Sequence, residues 1–167
     1  MKLVEALPTV REAVPDAQLV LAGASTPYER QLHDRAKALG VGATVTSPGY
    51  VSEADLEGLY AAASVFVFPS LNEGVGLPLL EAMARDLAVV TSDRSALPEV
   101  AGDAALLVSP GSADEIAAAT IRIITDVRCR ERLVEKGNRR VRAFTWSHTA
   151  RLTLETWRRA VLAPSPR

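Results

Sequence analysis

Glu73 and Glu81 are separated by seven residues in the stretch FPSLNEGVGLPLLEAM, residues 68–83, and no other ionisable side chain occurs in it. An ionised carboxylate only accepts hydrogen bonds, and its two oxygens suit a pair of hydroxyl donors. Gly74 and Gly76 can take positive φ and let a ligand approach the backbone. Pro78 fits the first turn of a helix. The amides of Val75, Gly76 and Leu77 would then be unpaired beside the positive end of that helix, which suits a phosphate or pyrophosphate. A carboxylate repels phosphate, so Glu73 and Glu81 belong on either side of such a cradle, each gripping a vicinal diol. The order diol, diphosphate, diol is that of a nucleotide sugar, with Glu73 at the hexose and Glu81 at the ribose. Taken without their setting, the same glutamates read as a solvated loop residue and an exposed helix position. The strand, Gly-x-Gly-x-Pro and helix around them favour the site.

The elements that must position them follow from apolar periodicity. AQLVLAG (17–23) is a short apolar run with the look of a strand buried on both faces. Residues 26–40 carry Leu32, Ala36 and Leu39 at helical spacing and stop at Gly40. Residues 42–52 read as a weaker strand and a turn. Ser52 with Asp55 three residues on caps a helix over 52–63. SVFVFPS (64–70), LAVVTSD (87–93) and AALLVSP (104–110) are three more strands. Residues 112–126, 127–144 and 147–163 are helical, and only 164–167 reads as a frayed tail. Strands alternating with helices specify an α/β fold, a Rossmann-like doubly wound parallel sheet with helices on both faces. The whole chain, 1–167, reads as one domain. It opens on a helix interrupted by Pro8, where a doubly wound sheet normally has a strand first. That first strand and its loop are expected to be absent or to lie elsewhere.

Bulk properties narrow the function. The 167 residues are 48% hydrophobic with a formal net charge of -1, enough for a sizeable core and poor for nucleic acid. The one cysteine, Cys129, excludes an internal disulfide framework and a cysteine-based metal site, and its arginine-rich surroundings suggest a solvated or half-buried thiol. Trp146 and Trp157 are expected to pack the terminal helix. His33 and His148 fall in helical segments as surface or packing residues. The start of the chain lacks the apolar core and cleavage site of a signal peptide, and no apolar run reaches membrane-spanning length, so a cytoplasmic protein is expected.

The stretch around Glu73 and Glu81 resembles the Glu-x7-Glu motif of the group 1 (GT4) retaining glycosyltransferases, which have the GT-B fold. PDAQLVLAG, VTSPGYVSEADLEGLYAAASVFVFPSLNEGVGLPLLEAMA, VVTSDRSALPEVAGDAALLVSP and FTWSHTARLTLETW all match that family's usual run, in order. The resemblance implies one half of a GT-B fold, the C-terminal donor-binding domain. It makes Glu73 and Glu81 the catalytic candidates, the first at the donor hexose and the second at the ribose hydroxyls. It brings the segment Gly74, Val75, Gly76 and Leu77 to the diphosphate and sugar. It lays Tyr50, Val51 and Glu53 over the nucleobase, although Glu53 reads equally as an acid complementing a helix dipole. It implies no metal and no cofactor, with an NDP-sugar as substrate, GDP-mannose or a UDP-sugar, since ALPEVAGDAALLV has a mannosyltransferase-like look. Asp93 and Ser95 border the same cleft, or Ser95 caps the ALPEVAG turn. Glu99 sits at a family-typical position or anchors that turn.

Two departures stand out. Where the family usually has CGTP after the motif helix, this chain has RDLA (85–88). The Gly-rich loop with an Arg/Lys pair that neutralises the leaving diphosphate has no counterpart here, nor does an acceptor domain. The expectation is therefore the donor-binding half of a longer enzyme, inactive alone. Its acceptor sugar or lipid would be bound through an N-terminal domain, with the full-length enzyme peripheral to the inner membrane face. The last helix, with Leu152, Leu154 and Trp157, would be partly uncovered and promote self-association. A non-catalytic sugar-nucleotide binding module is the alternative. A dinucleotide oxidoreductase is disfavoured by the lack of Gly-x-Gly-x-x-Gly after a first strand.

Overall fold

The computed structural model describes residues 1–162. Its elements run α1 (Lys2–Ala13), β1 (Leu19–Ala22), α2 (Pro27–Ala38), a 3-10 turn (Gly42–Thr44), β2 (Val45–Gly49), α3 (Glu53–Ala62) and β3 (Phe66–Phe68). They continue with α4 (Leu77–Met83), β4 (Val89–Ser92), α5 (Leu97–Ala101), β5 (Ala105–Val108), α6 (Ala113–Thr125), α7 (Val127–Val141) and α8 (Trp146–Leu162). The expected α/β fold with parallel strands is what forms. The terminal segment 164–167 lies outside the described residues.

The strands make two hydrogen-bonded sheets rather than one: β1 with β2, and β3-β4-β5, all pairings parallel. Between the two sheets there is a break in the strand pairing. Side-chain packing, not hydrogen bonding, spans it. Helix α1 turns Val4 and Leu7 toward Ala36, Val41 and Val45, and turns Ala6 and Val10 toward Ala88, Val90 and Val108.

The three-stranded sheet is covered on both faces, as period-two alternation requires. Phe66, Phe68 and Val89 pack with Leu79, Met83 and Leu97 on one side. Val67, Val90 and Val108 pack with α1, α6 and α7 on the other. The smaller sheet is covered on one face only. Leu19 and Leu21 meet α1 and α2, while Val20 is 45% exposed. The expectation that 17–23 is buried on both faces is thereby corrected: at the edge of a two-stranded sheet the second face has no helix.

Three further expectations are corrected. Cys129 is buried in the core, because it shares the inward stripe of α7 with Leu133 and Gly137 at helical spacing while the arginines fall on other faces. Trp146 and Trp157 do not pack the last helix; they are 85% and 63% exposed, since nothing described covers the outer face of α8. The ALPEVAG segment is a five-residue helix, α5, whose N-cap is Ala96 without a side-chain cap, so Ser95 does not cap it.

Candidate active site around Glu73 and Glu81

The segment after β3 leaves the carboxyl end of its strand, where open α/β sheets bind ligands. Two buried hydroxyls fix that exit. Thr91 donates to Phe68 O at 3.0 Å and Ser92 donates to Ser70 O at 2.6 Å. These bonds tie the end of β3 to β4 beyond the regular ladder.

Glu73 is half-buried and held twice. Ser70 Oγ donates to its Oε1 at 2.9 Å, which aims the carboxylate. Its backbone N–H donates to Ser95 Oγ at 2.8 Å, and Ser95 Oγ donates to its carbonyl at 2.8 Å. Among the described residues, the amides of Gly74, Val75, Gly76 and Leu77 donate no hydrogen bond. Gly74, Val75 and Leu77 are exposed, whereas Gly76 between them is buried. Gly76 adopts φ +81 as the N-cap of α4, and a Cβ there would lie 2.4 Å from Leu97 Cδ2. Only glycine fits both constraints. Gly74 does not take positive φ; the two glycines expected to behave alike differ, because only Gly76 must turn the chain into α4 against Leu97.

Helix α4 begins at Leu77, as expected, with Pro78 in its first turn. With seven residues it contributes little dipole, so the free amides matter more than the helix end. Its buried residues are Leu79, Leu80, Ala82 and Met83. Its solvent face carries Leu77 and Glu81, four residues apart and about 6 Å along the axis. Glu81 thus shares the exposed face that starts at the loop amides.

The Glu81 carboxylate is anchored from below by residues that sequence reasoning missed. Tyr60 OH donates to Glu81 Oε2 at 3.2 Å. The Arg85 guanidinium lies over the Tyr60 ring, 4.9 Å from its centroid, donates Nη1 to Glu81 O at 2.9 Å and pairs through two nitrogens with Glu57. Burial first, then the adjacent Glu81 charge and hydrogen bond, push the Tyr60 hydroxyl up to about 12. The hydrogen bond from Arg85 holds the Glu57 carboxyl below the usual carboxylate range. Arg85 is the first residue of the RDLA departure. The next, Asp86, holds φ +58 and accepts from Asn138 Nδ2 at 2.6 Å, so a side chain occupies a left-handed position that favours glycine.

The residues expected at the nucleobase are only partly brought together. Tyr50 and Val51 line a shallow depression with Pro48, Ala54, Asp55, Gly58 and Leu59. Tyr50 is 85% exposed. Glu53 is exposed at the first position of α3 and does not line that depression. Helix α3 connects this depression to Glu81, because Tyr60 lies about 10 Å along its axis from Glu53. Elsewhere, Asp93 pairs with Arg94 at 3.1 Å, Glu99 is exposed, His33 meets Ser47 Oγ at 2.9 Å and His148 meets Arg151 at 3.0 Å.

Comparison with known proteins places these observations. The family profile described as "Glycosyl transferases group 1" matches residues 1–140. The O-antigen chain mannosyltransferase B of Escherichia coli is 41% identical over 110 residues, covering 66% of this chain and 29% of that protein. The C-terminal domain of the group 1 glycosyltransferase LpcC from Francisella tularensis superposes with a TM-score of 0.76 at 29% identity, covering 85% of this chain and 76% of that one. Anabaena HepE, crystallised with UDP and glucose, shares the fold with a TM-score of 0.82 at 22% identity, over 93% of this chain and 43% of its own. The chain spans less than a third of the length of the mannosyltransferase and less than half that of HepE. On the family match, its GT-B neighbours and its parallel α/β fold, this chain belongs to the group 1 glycosyltransferases.

Proposed function

We propose that this chain is the donor-binding domain of a retaining glycosyltransferase that moves a hexose from an NDP-sugar to an acceptor hydroxyl. The observation that carries the reading is that Glu73 and Glu81, each held by a hydroxyl, flank the run Gly74 to Leu77, whose amides donate to no protein acceptor among the described residues. Those amides receive the diphosphate. Glu81, steadied by Tyr60, accepts from the ribose hydroxyls. Glu73, aimed by Ser70, accepts from the hexose. Tyr50 and Val51 flank the base. The substrate is GDP-mannose or a UDP-sugar; the mannosyltransferase relative supports the first, and the UDP bound by HepE the second. Transfer proceeds by front-face attack with charge stabilisation of the leaving diphosphate as the main term.

By itself the 167-residue chain binds a nucleoside diphosphate weakly and transfers no sugar. Arg85, beside Glu81, is committed to Glu57 and Tyr60 rather than to a phosphate. The acceptor, a sugar or lipid, is bound by further parts of the enzyme, on the cytoplasmic side and peripheral to the membrane. No described helix is long and apolar enough to cross a membrane. The exposed apolar residues of α8 support self-association of the chain.

Calorimetry on two variants tests the division of labour. Glu81→Ala removes a charge-assisted acceptor and should weaken nucleoside diphosphate and sugar nucleotide alike, by about ten- to a hundredfold. Glu73→Ala should weaken only the sugar nucleotide. Equal losses for both ligands in Glu73→Ala would refute the assignment.

A further inference from the structure

Ser95 follows β4 with φ +53, a left-handed backbone that a residue with a Cβ rarely adopts. Glycine would hold that conformation without strain. Side chains kept in such positions cluster where the surrounding structure uses them. What serine adds over glycine at residue 95 is one hydroxyl, and that hydroxyl has a single partner residue. It accepts from Glu73 N at 2.8 Å and donates to Glu73 O at 2.8 Å. A hydroxyl has one donor and two acceptor sites, so one group can close both ends of the Glu73 backbone.

We propose that Ser95 is a positioning residue for Glu73, a backbone clamp that sets the direction in which the Glu73 carboxylate meets the donor sugar. The proposal rests on the reading of Glu73 as the hexose contact. The clamp completes a chain of three serines: Ser92 holds Ser70 O, Ser70 holds the Glu73 carboxylate, and Ser95 holds the Glu73 peptide. Two residues further on, buried Leu97 closes on Gly76. Residues 95–97 therefore template the loop at both ends, at Glu73 by hydrogen bonds and at Gly76 by packing. Between these points Gly74 has open space around it. Without the Ser95 hydroxyl the Glu73 peptide is free to rotate, and Ser70 alone does not fix the carboxylate relative to the amides.

The test is Ser95→Gly, which removes the hydroxyl and relieves the backbone, compared with wild type and Glu73→Ala in the 167-residue chain. Three readouts are taken: thermal midpoint, hydrogen exchange of the Glu73 amide, and calorimetric affinity for a nucleoside diphosphate and for the matching sugar nucleotide. Expected are a midpoint at or above wild type, faster exchange at Glu73, and nearly unchanged diphosphate affinity. Sugar-nucleotide affinity should fall about five- to tenfold, the worth of a lost hydrogen-bonded constraint. Unchanged exchange at Glu73 overturns the clamp whatever the ligands do. A large drop in midpoint overturns it in favour of a purely structural serine. If Glu73→Ala separates the two ligands and Ser95→Gly does not, the clamp fails and the donor reading stands. If Glu73→Ala separates nothing, the donor reading fails, and this proposal is overturned with it.

Discussion

Tyr60 and Glu81 meet across 3.2 Å, the phenol donating and the carboxylate accepting, although one sits near the end of α3 and the other within α4. The phenol is 7% exposed and packs its ring against Phe66 at 5.8 Å between centroids, so it cannot follow Glu81 if that side chain moves. Glu81 is therefore an exposed carboxylate with a buried anchor. One of its oxygens remains without a protein donor among the described residues.

Removing that anchor while keeping the ring tests its worth. Tyr60→Phe deletes one hydrogen bond to a charged acceptor, about 1.5–3 kcal/mol at most. Part of this appears as stability and part as binding. Nucleoside diphosphate affinity should fall by several fold, with little change in the ratio between diphosphate and sugar nucleotide. Calorimetry that finds no change in either ligand would mean that Tyr60 serves packing alone.

The raised Tyr60 hydroxyl gives a signature in alkali. The folded protein holds its proton up to about 12, above the ordinary tyrosine value near 10, so between those pH values the native state binds more protons than the unfolded one. Its contribution is fully present below about pH 10 and is lost as pH rises through about 12. Stability should fall across that window, and Tyr60→Phe should flatten the fall. Ultraviolet titration should show a late tyrosinate step that the variant lacks.

Gly76→Ala should cost about 2–5 kcal/mol, combining a left-handed alanine with an overpacked contact on Leu97. Gly74→Ala should cost far less, since an added Cβ meets nothing within 4 Å there. Thermal midpoints of the two variants, measured side by side, check the contrast. Equal losses would show that the turn into α4 tolerates a side chain.

Helix α8 should drive association. Trp146, Trp157 and Val161, on one side of the helix, are 85%, 63% and 84% exposed, and Leu154 beside them is close to half exposed. Trp157→Glu places a charge on that face and should lower the sedimentation-derived association constant by at least tenfold. A wild-type chain that stays monomeric at high concentration would rule out association through this face.

The sequence revealed the features that depend on local pattern. Apolar runs located all five strands, Ser52 and Asp55 marked the start of α3, and the spacing of Glu73 and Glu81 around Gly-x-Gly-x-Pro picked out the loop between β3 and α4. What it hid depends on packing between distant segments. The resemblance offered Ser95 at the cleft as one of two readings, but its bonds to Glu73, 22 residues away, and the bond of Tyr60 to Glu81, 21 away, are announced by nothing in either side chain's own neighbourhood. Arg85 was visible only as a departure; its use, bracing Tyr60, needed α3 to lie beside α4. The tryptophans of α8 were misjudged because large aromatics usually find cover within their own domain.

The break between the two sheets has a mechanical consequence. No backbone hydrogen bond joins β1-β2 to β3-β4-β5, so the two sheets are held together by side chains, those of α1 among them. Tyr50 and Val51 follow β2 in one half, while Glu73 and Glu81 ride on the other. A ligand that reaches from Tyr50 to Glu81 would be a cross-tie. Its binding would stiffen the seam as well as fill the site, and slower exchange of the α1 amides would report its arrival from the far side of the domain.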